Sequence, residues 1–202
     1  MITVHHLENS RSQRVLWLLE ELGLTYHVKR YARDRKTSLA PPELKQVHPL
    51  GKSPVITDGA VTVAETGAIV EYLVEQAGGA LRPGAGSAAH RRYTYWLHFA
   101  EGSAMTPILL NLYTARLGDA AAPLHPRISE QLESHFRYID DRLADSDWLV
   151  GGKLTGADIM VSFPAEAAVK MGRAADKPRL AAYVERIHVR PAWQLALAKG
   201  GP

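Results

Sequence analysis

The chain has 202 residues, 46% of them hydrophobic and 22% charged, enough for a substantial core in one large or two small domains. Its net charge of +3 is spread over interspersed acids and bases, with no arginine-rich run or basic–aromatic alternation, which argues against a nucleic-acid partner. Cysteine is absent, which excludes disulfides, Cys-ligated zinc, CxxC redox chemistry and any thiol nucleophile on the protein, and fits a cytoplasmic protein.

No apolar stretch is long enough to span a bilayer and Met1 leads straight into a strand, so no membrane partner and no signal peptide are expected. Residues 2–7 alternate as a buried strand; His5 and His6 then face opposite sides and cannot share a metal, so structural or hydrogen-bonding roles suit them better. Residues 8–13 form a loop. Val15, Leu18, Leu19 and Leu22 fall at helical spacing, and Gly23 ends that helix. Residues 26–31 read as a second strand, 34–40 as a polar loop and 41–47 as a short helix opening on proline. Pro54 then precedes Val55-Ile56, Asp58-Gly59 marks a hairpin turn, and Val61 and Val63 alternate on the return strand. A helix follows from Thr66, read as its N-cap.

The glycine- and proline-rich residues 79–86 read as a linker, dividing a domain over 1–78 from one over 87–202. Everything beyond reads helical: 87–117 as one long helix kinked or restarted at Pro107, and 126–144 with a stripe of Ile128, Leu132, Phe136, Ile139 and Leu143. Thr155 and Asp158 form a capping box at the next helix, a folding device rather than a catalytic acid, and two short helices close the chain over 180–189 and 191–198. His98 and Glu101 share a helical face, but two ligands without others at suitable spacing make a poor metal site. No metal is expected.

The chemistry concentrates at the start of the helix after the hairpin. Free amides and the macrodipole there attract an anion, and Glu65 sets a carboxylate beside them. Ammonium and carboxylate of an amino-acid end fit such a corner. Gly51-Lys-Ser-Pro-Val55 and Ala64-Glu-Thr-Gly-Ala-Ile-Val-Glu-Tyr-Leu73 resemble the glutathione-binding half of the glutathione transferase superfamily, and the Thr155–Asp158 box resembles the capping motif of its helical domain. The resemblance implies a thioredoxin-like α/β domain of order β-α-β-α-β-β-α followed by an all-helical domain. It also implies a cis Pro54, Ser53 pairing through its backbone with glutathione, Glu65 holding the γ-glutamyl ammonium, Thr66 its carboxylate and Lys52 the glycyl end. A homodimer is implied too, with glutathione as co-substrate rather than a bound cofactor.

Such chemistry needs a thiol held as thiolate, and the family supplies a hydroxyl for this near the end of the first strand. No tyrosine precedes Tyr26, which leaves Asn9-Ser-Arg-Ser12, with Ser10 the best placed and Ser12 or Asn9 as alternatives. Ser10 also fits a capping-box pattern with Gln13, so its hydroxyl has a purely structural reading. Arg11 and Arg14 are read as solvated, with a contribution to positive potential as the alternative. Tyr93, Trp96, Phe99 and Tyr113 are read as core or subunit interface, one or two of them lining an electrophile pocket by the resemblance. The activity implied is conjugation of glutathione to small hydrophobic electrophiles, with peroxidase activity as an addition. A non-catalytic binding or scaffold protein, or an isomerase of the maleylacetoacetate type, are the other readings.

Overall fold

The computed structural model describes residues 1–201. Strand β1 (Ile2–Leu7), helix α1 (Ser12–Leu22), strand β2 (Tyr26–Tyr31), a 3-10 turn (Pro42–Gln46), the hairpin β3 (Val55–Asp58) and β4 (Val61–Ala64), and helix α2 (Thr66–Gln76) follow the predicted order. The second helix of that order is only the 3-10 turn. The sheet runs β2-β1-β3-β4, with β2 parallel to β1 and the other two pairings antiparallel. Gly59 and Ala60 make the two-residue turn, with Gly59 at φ +58°, a conformation that glycine adopts without a Cβ clash.

The two histidines of β1 separate as alternation requires. His5 Nδ1 meets the Tyr31 hydroxyl at 2.9 Å, on the side where Leu7, Tyr31 and Leu44 pack together, whereas His6 reaches Ser12 at the start of α1. Helix α1 buries more than the one face read from its periodicity: Val15, Leu16, Trp17, Leu18 and Leu19 are all fully enclosed. The cause lies at the other end of the chain. Helix α8 (Pro191–Gly200) packs on α1, with Trp193 edge-on to Trp17 at 5.4 Å and the Arg190 guanidinium paired to Glu21. Gly200 sits so close that a Cβ would fall 2.5 Å from Leu16 Cδ1.

The chain accordingly divides into two compact units, one of residues 1–82 with 188–202 and one of residues 83–187. The break falls within the segment read as a linker. The last helix, however, groups with the sheet rather than with the helical residues beside it in sequence, because its apolar face is used on α1.

The second unit contains α3 (Ala88–His98), a π-helical turn (Phe99–Ala104), α4 (Met105–Thr114), a 3-10 stretch (Ala115–Leu124), α5 (His125–Arg142), α6 (Gly156–Lys170) and α7 (Pro178–His188). The break in the predicted long helix is thus the π turn, immediately ahead of Pro107, which has no N–H to return to the preceding turn. Ile128, Leu132, Phe136 and Ile139 of α5 are buried as their spacing predicts. At the start of α6 the Thr155–Asp158 box forms. The Asp158 carboxylate accepts from Thr155 N–H at 2.8 Å, Thr155 Oγ at 3.0 Å, Leu149 N–H at 3.0 Å and the Tyr183 hydroxyl at 3.2 Å. Burial raises its pKa to about 6 even though those donors favour the charged form.

Asp158→Ala should therefore cost more than a lost cap. It strands buried donors from α6, the 148–150 segment and α7 together, and we expect a loss of about 2–4 kcal/mol in urea unfolding, against ~1 kcal/mol for an exposed cap.

Candidate functional site

Strand register collects the candidate residues at one end of the sheet. His5 pairs with Val55 and Val55 with Ala64, so the exit of β1, the entry of β3 and the exit of β4 lie side by side. Residues 8–11 leave from the first, Ser53 and Pro54 enter at the second, and Glu65 and Thr66 leave from the third. The Ser53 hydroxyl ties two of these together by donating to the His5 carbonyl at 2.9 Å. The Ser53–Pro54 peptide is cis, as the resemblance implies, and Pro54 is buried while Lys52 is exposed.

The third strand exit departs from the sequence reading by one residue. Helix α2 begins at Thr66, so Glu65 occupies the cap position and Thr66 lies in the first turn, 4% exposed. No side chain caps this helix; the Glu65 carbonyl accepts the first helical bond, from Ile69 N–H at 2.9 Å. The N–H groups of the first turn, from Thr66 onward, are left without intrahelical acceptors. Glu65 takes φ +68°, ψ 123°, a region rarely occupied by residues with a Cβ and held at a cost of about 1–3 kcal/mol. The strain aims an exposed carboxylate and a row of free amides from the same turn.

The loop after β1 is polar and closely tied. Asn9 has φ +49°. Ser10 accepts the Ser12 N–H at 3.2 Å, and the two hydroxyls are 2.7 Å apart. The predicted capping box is not formed: α1 starts at Ser12 with Arg11 at the cap, and Ser10 reaches back to Ser12 while the Gln13 amide makes no return bond. Ser10 is 9% exposed, whereas Ser12 is fully enclosed, with its hydroxyl at hydrogen-bond distance from Leu7 N–H, the Leu7 carbonyl and His6 Nδ1. Arg14, read as solvated, is buried.

Several cavities of similar size lie elsewhere. One of about 390 Å³ backs the loop at His6, Asn9, Arg30 and Gly200, and one of about 380 Å³ lies between α4 and α5 at Thr106, Pro107, Ile128 and His135. Lys52, Ser53, Pro54, Glu65 and Thr66 line neither of these two. Tyr93, Trp96 and Phe99 are buried and Tyr113 is exposed. Among the described residues no group of three or more His, Cys, Asp or Glu could hold a metal ion.

The family models for the glutathione S-transferase N-terminal and C-terminal domains match residues 1–75 and 122–186. Glutathione S-transferase 3 of Schizosaccharomyces pombe is 34% identical, over 98% of this chain and 88% of that one. The chain belongs to the glutathione S-transferase family. Among solved structures, a glutathione S-transferase from Actinobacillus pleuropneumoniae superposes with a TM-score of 0.87 at 36% identity, covering 99% of this chain and 93% of that one. A sphingomonad glutathione S-transferase complexed with glutathione does so with 0.82 at 25% identity, covering 99% and 100%. The four-stranded mixed sheet and helical second unit are those of the glutathione S-transferase fold.

Sequence reasoning missed Arg33 and the link from Ser12 to His6. Arg33 Nε donates to the Glu8 carbonyl at 3.0 Å and a terminal nitrogen to the Asn9 carbonyl at 3.1 Å, while its backbone N–H donates to the Glu8 carboxylate at 2.7 Å. An arginine after a strand carries no local signal for such a role. Arg33→Met should free the loop carbonyls, raise amide exchange at residues 9–11 and lower turnover severalfold. The unfolding free energy should fall by only about 1 kcal/mol, since most of these bonds are partly solvated.

Proposed function

We propose that this chain is a catalytic glutathione transferase that holds glutathione along the sheet end and activates its thiol with Ser10. The observation that carries the reading is the juxtaposition, by strand register, of cis Pro54, the uncapped α2 terminus with Glu65, and the β1–α1 loop. The glutathione complex of the sphingomonad relative supports the same ligand here. In this reading Ser53 pairs with glutathione through its backbone at Pro54, Glu65 takes the γ-glutamyl ammonium, the Thr66 turn takes the neighbouring carboxylate and Lys52 faces the glycyl end. An uncapped helix terminus carries partial positive charge and suits that carboxylate.

The chemistry is thiolate formation and attack. A free thiol has a pKa near ~8.5, and each unit of depression corresponds to about 1.4 kcal/mol in favour of the anion. A hydroxyl donating to sulfur supplies part of that. Ser10 suits the role better than its alternatives, because Ser12 is enclosed and saturated and Asn9 faces the cavity behind the loop. The thiolate then displaces a leaving group from, or adds to, a small hydrophobic electrophile; the same anion can reduce a hydroperoxide, with a second glutathione completing the disulfide. Glutathione is a co-substrate throughout, and the scheme uses no metal or cofactor.

Glu65 gives a test that separates binding from folding. Glu65→Ala should weaken glutathione binding at least tenfold by calorimetry, because a partly desolvated ammonium loses its partner. Glu65→Gly should bind as weakly yet unfold at a higher temperature than the alanine variant, since glycine relieves the positive φ. Wild-type affinity in both would reject the corner as the binding site. Ser10→Ala should lower kcat by tens- to several-hundredfold, the cost of a donor to a developing anion at ~2–4 kcal/mol. A variant of unchanged kcat would exclude Ser10 and leave the chain as a binding protein or one with a different donor.

The reading includes a homodimer. Its support is the exposed apolar run Leu110, Leu112, Tyr113 and Leu117 along and beyond α4, more than isolated surface residues account for. Sedimentation at micromolar concentration should give a species near twice the 22.2 kDa chain mass. A single monomeric boundary would remove this part of the proposal.

A further inference from the structure

A cavity of about 400 Å³ opens in the second unit where the end of α4, the start of α5 and the exit of α6 meet. Asn111, Thr114 and Ala115 line it from α4 and the residue after it, His125 and Ser129 from α5, and Arg173 from the turn after α6. Local geometry brings the arginine there. Gly172, at φ +70°, turns the chain out of the helix, and the Arg173 N–H returns to the Ala168 carbonyl at 2.9 Å. The side chain then crosses to α5, where a terminal guanidinium nitrogen donates to Ser129 Oγ at 3.1 Å.

This guanidinium lacks a carboxylate. Other cations of α5 and of the segment after Arg173 are neutralised: Lys177 pairs with Glu133 and Asp176 at 2.8 Å, Arg137 with the same two acids, and Arg179 with Asp140 at 3.5 Å. Arg173 is half-buried, yet among the described residues its guanidinium has only the neutral Ser129 hydroxyl as a partner. A cation partly withdrawn from water without a counter-ion is destabilising, and an arriving anion relieves it.

The other lining groups suit the same guest. Ser129 Oγ accepts from Arg173, which leaves its own proton to donate. Asn111 adds an amide with further N–H donors, and no carboxylate is among the lining residues. A guanidinium fork holds a carboxylate or phosphate through two parallel bonds, and the volume is that of a small-molecule pocket, more than a bare ion fills. We propose that this cavity is a second ligand site, which takes a small organic oxyanion, a carboxylate or a phosphate ester, on Arg173, Ser129 and Asn111. It shares no residue with the Glu65 corner and takes no part in the thiol chemistry, so the inference stands apart from the glutathione reading.

Succinate, glycerol 3-phosphate and inorganic phosphate separate carboxylate from phosphate as the bound group, and succinamide is the uncharged control. Each is titrated into the 15N-labelled full chain at fixed ionic strength, following the Arg173 Nε–H signal and the backbone amides of Ser129 and Asn111. At least one organic anion should shift these signals saturably, with a Kd of about 1 mM or tighter, and succinamide should not. Arg173→Gln should weaken that anion at least tenfold, read at the Ser129 amide. Because this variant also loses the tie to α5, Asn111→Asp is the second test. It keeps Arg173, supplies a counter-ion from the chain itself and should lower affinity at least tenfold. A merely structural tie is complete with the Ser129 bond and gives no saturable shift. Absence of such a shift with both organic anions, an equal shift with succinamide, or unchanged affinity in either variant would overturn the proposal. Glu65→Ala, which tests the glutathione corner, should leave this binding unchanged, so the two readings fail separately.

Discussion

The antiparallel pairing of β3 on β1 is the constraint from which the site follows. Its row His5–Val55–Ala64 puts three chain exits at one edge of the sheet. A slip of one residue would exchange the faces on which Val55 and Ile56 pack and carry Pro54 away from the β1–α1 loop. The register is held from both sides: Val55 and Ile56 are fully buried, and the Ser53 hydroxyl pins the strand entry to the His5 carbonyl. Position of the polar residues is thus a by-product of apolar packing, and no site residue has to find its neighbours on its own.

Helix α1 plays the matching part for the loop. Its buried face is wider than one sheet could cover, and α8 covers the remainder through Trp193, Arg190 and Gly200. With α1 clamped in this way, Ser12 at its first turn is fixed against β1, and Arg33 holds the Glu8 and Asn9 carbonyls from the β2 side. The loop can therefore tolerate the positive φ of Asn9 and hold Ser10 in a fixed, nearly enclosed position.

Features written in local pattern were legible in the sequence. The hairpin at Asp58-Gly59, the helix from Thr66, the capping box at Thr155 and Asp158 and the stripe on α5 each depend on residues within a few positions of one another. The family's motif around Pro54 and Glu65 is equally local. What escaped the sequence depends on contacts far along the chain: α8 lying on α1, Arg33 on the loop, Arg14 buried rather than solvated, and His6 behind Ser12. The one-residue error at Thr66 has a different source. Threonine is a favoured cap, but the cap position here is occupied by Glu65 in a strained conformation that propensity would not select. The π turn at Phe99–Ala104 likewise has only Pro107 to announce it, and proline marks a disruption without saying what form it takes.

The order in which the sheet unit is assembled also has a consequence for synthesis. Its strands and first two helices are complete by residue 76, yet the helix that closes over Trp17 starts at Pro191. A chain leaving the ribosome N-terminus first must carry an uncovered α1 through the translation of more than a hundred further residues. Throughout that interval Trp17 and Leu16 lack their final cover, so the nascent protein passes through a sticky stage set by gene order. A circular permutant that joined α8 ahead of β1 would shorten that stage, at the loss of the ion pair between the Met1 ammonium and Asp58.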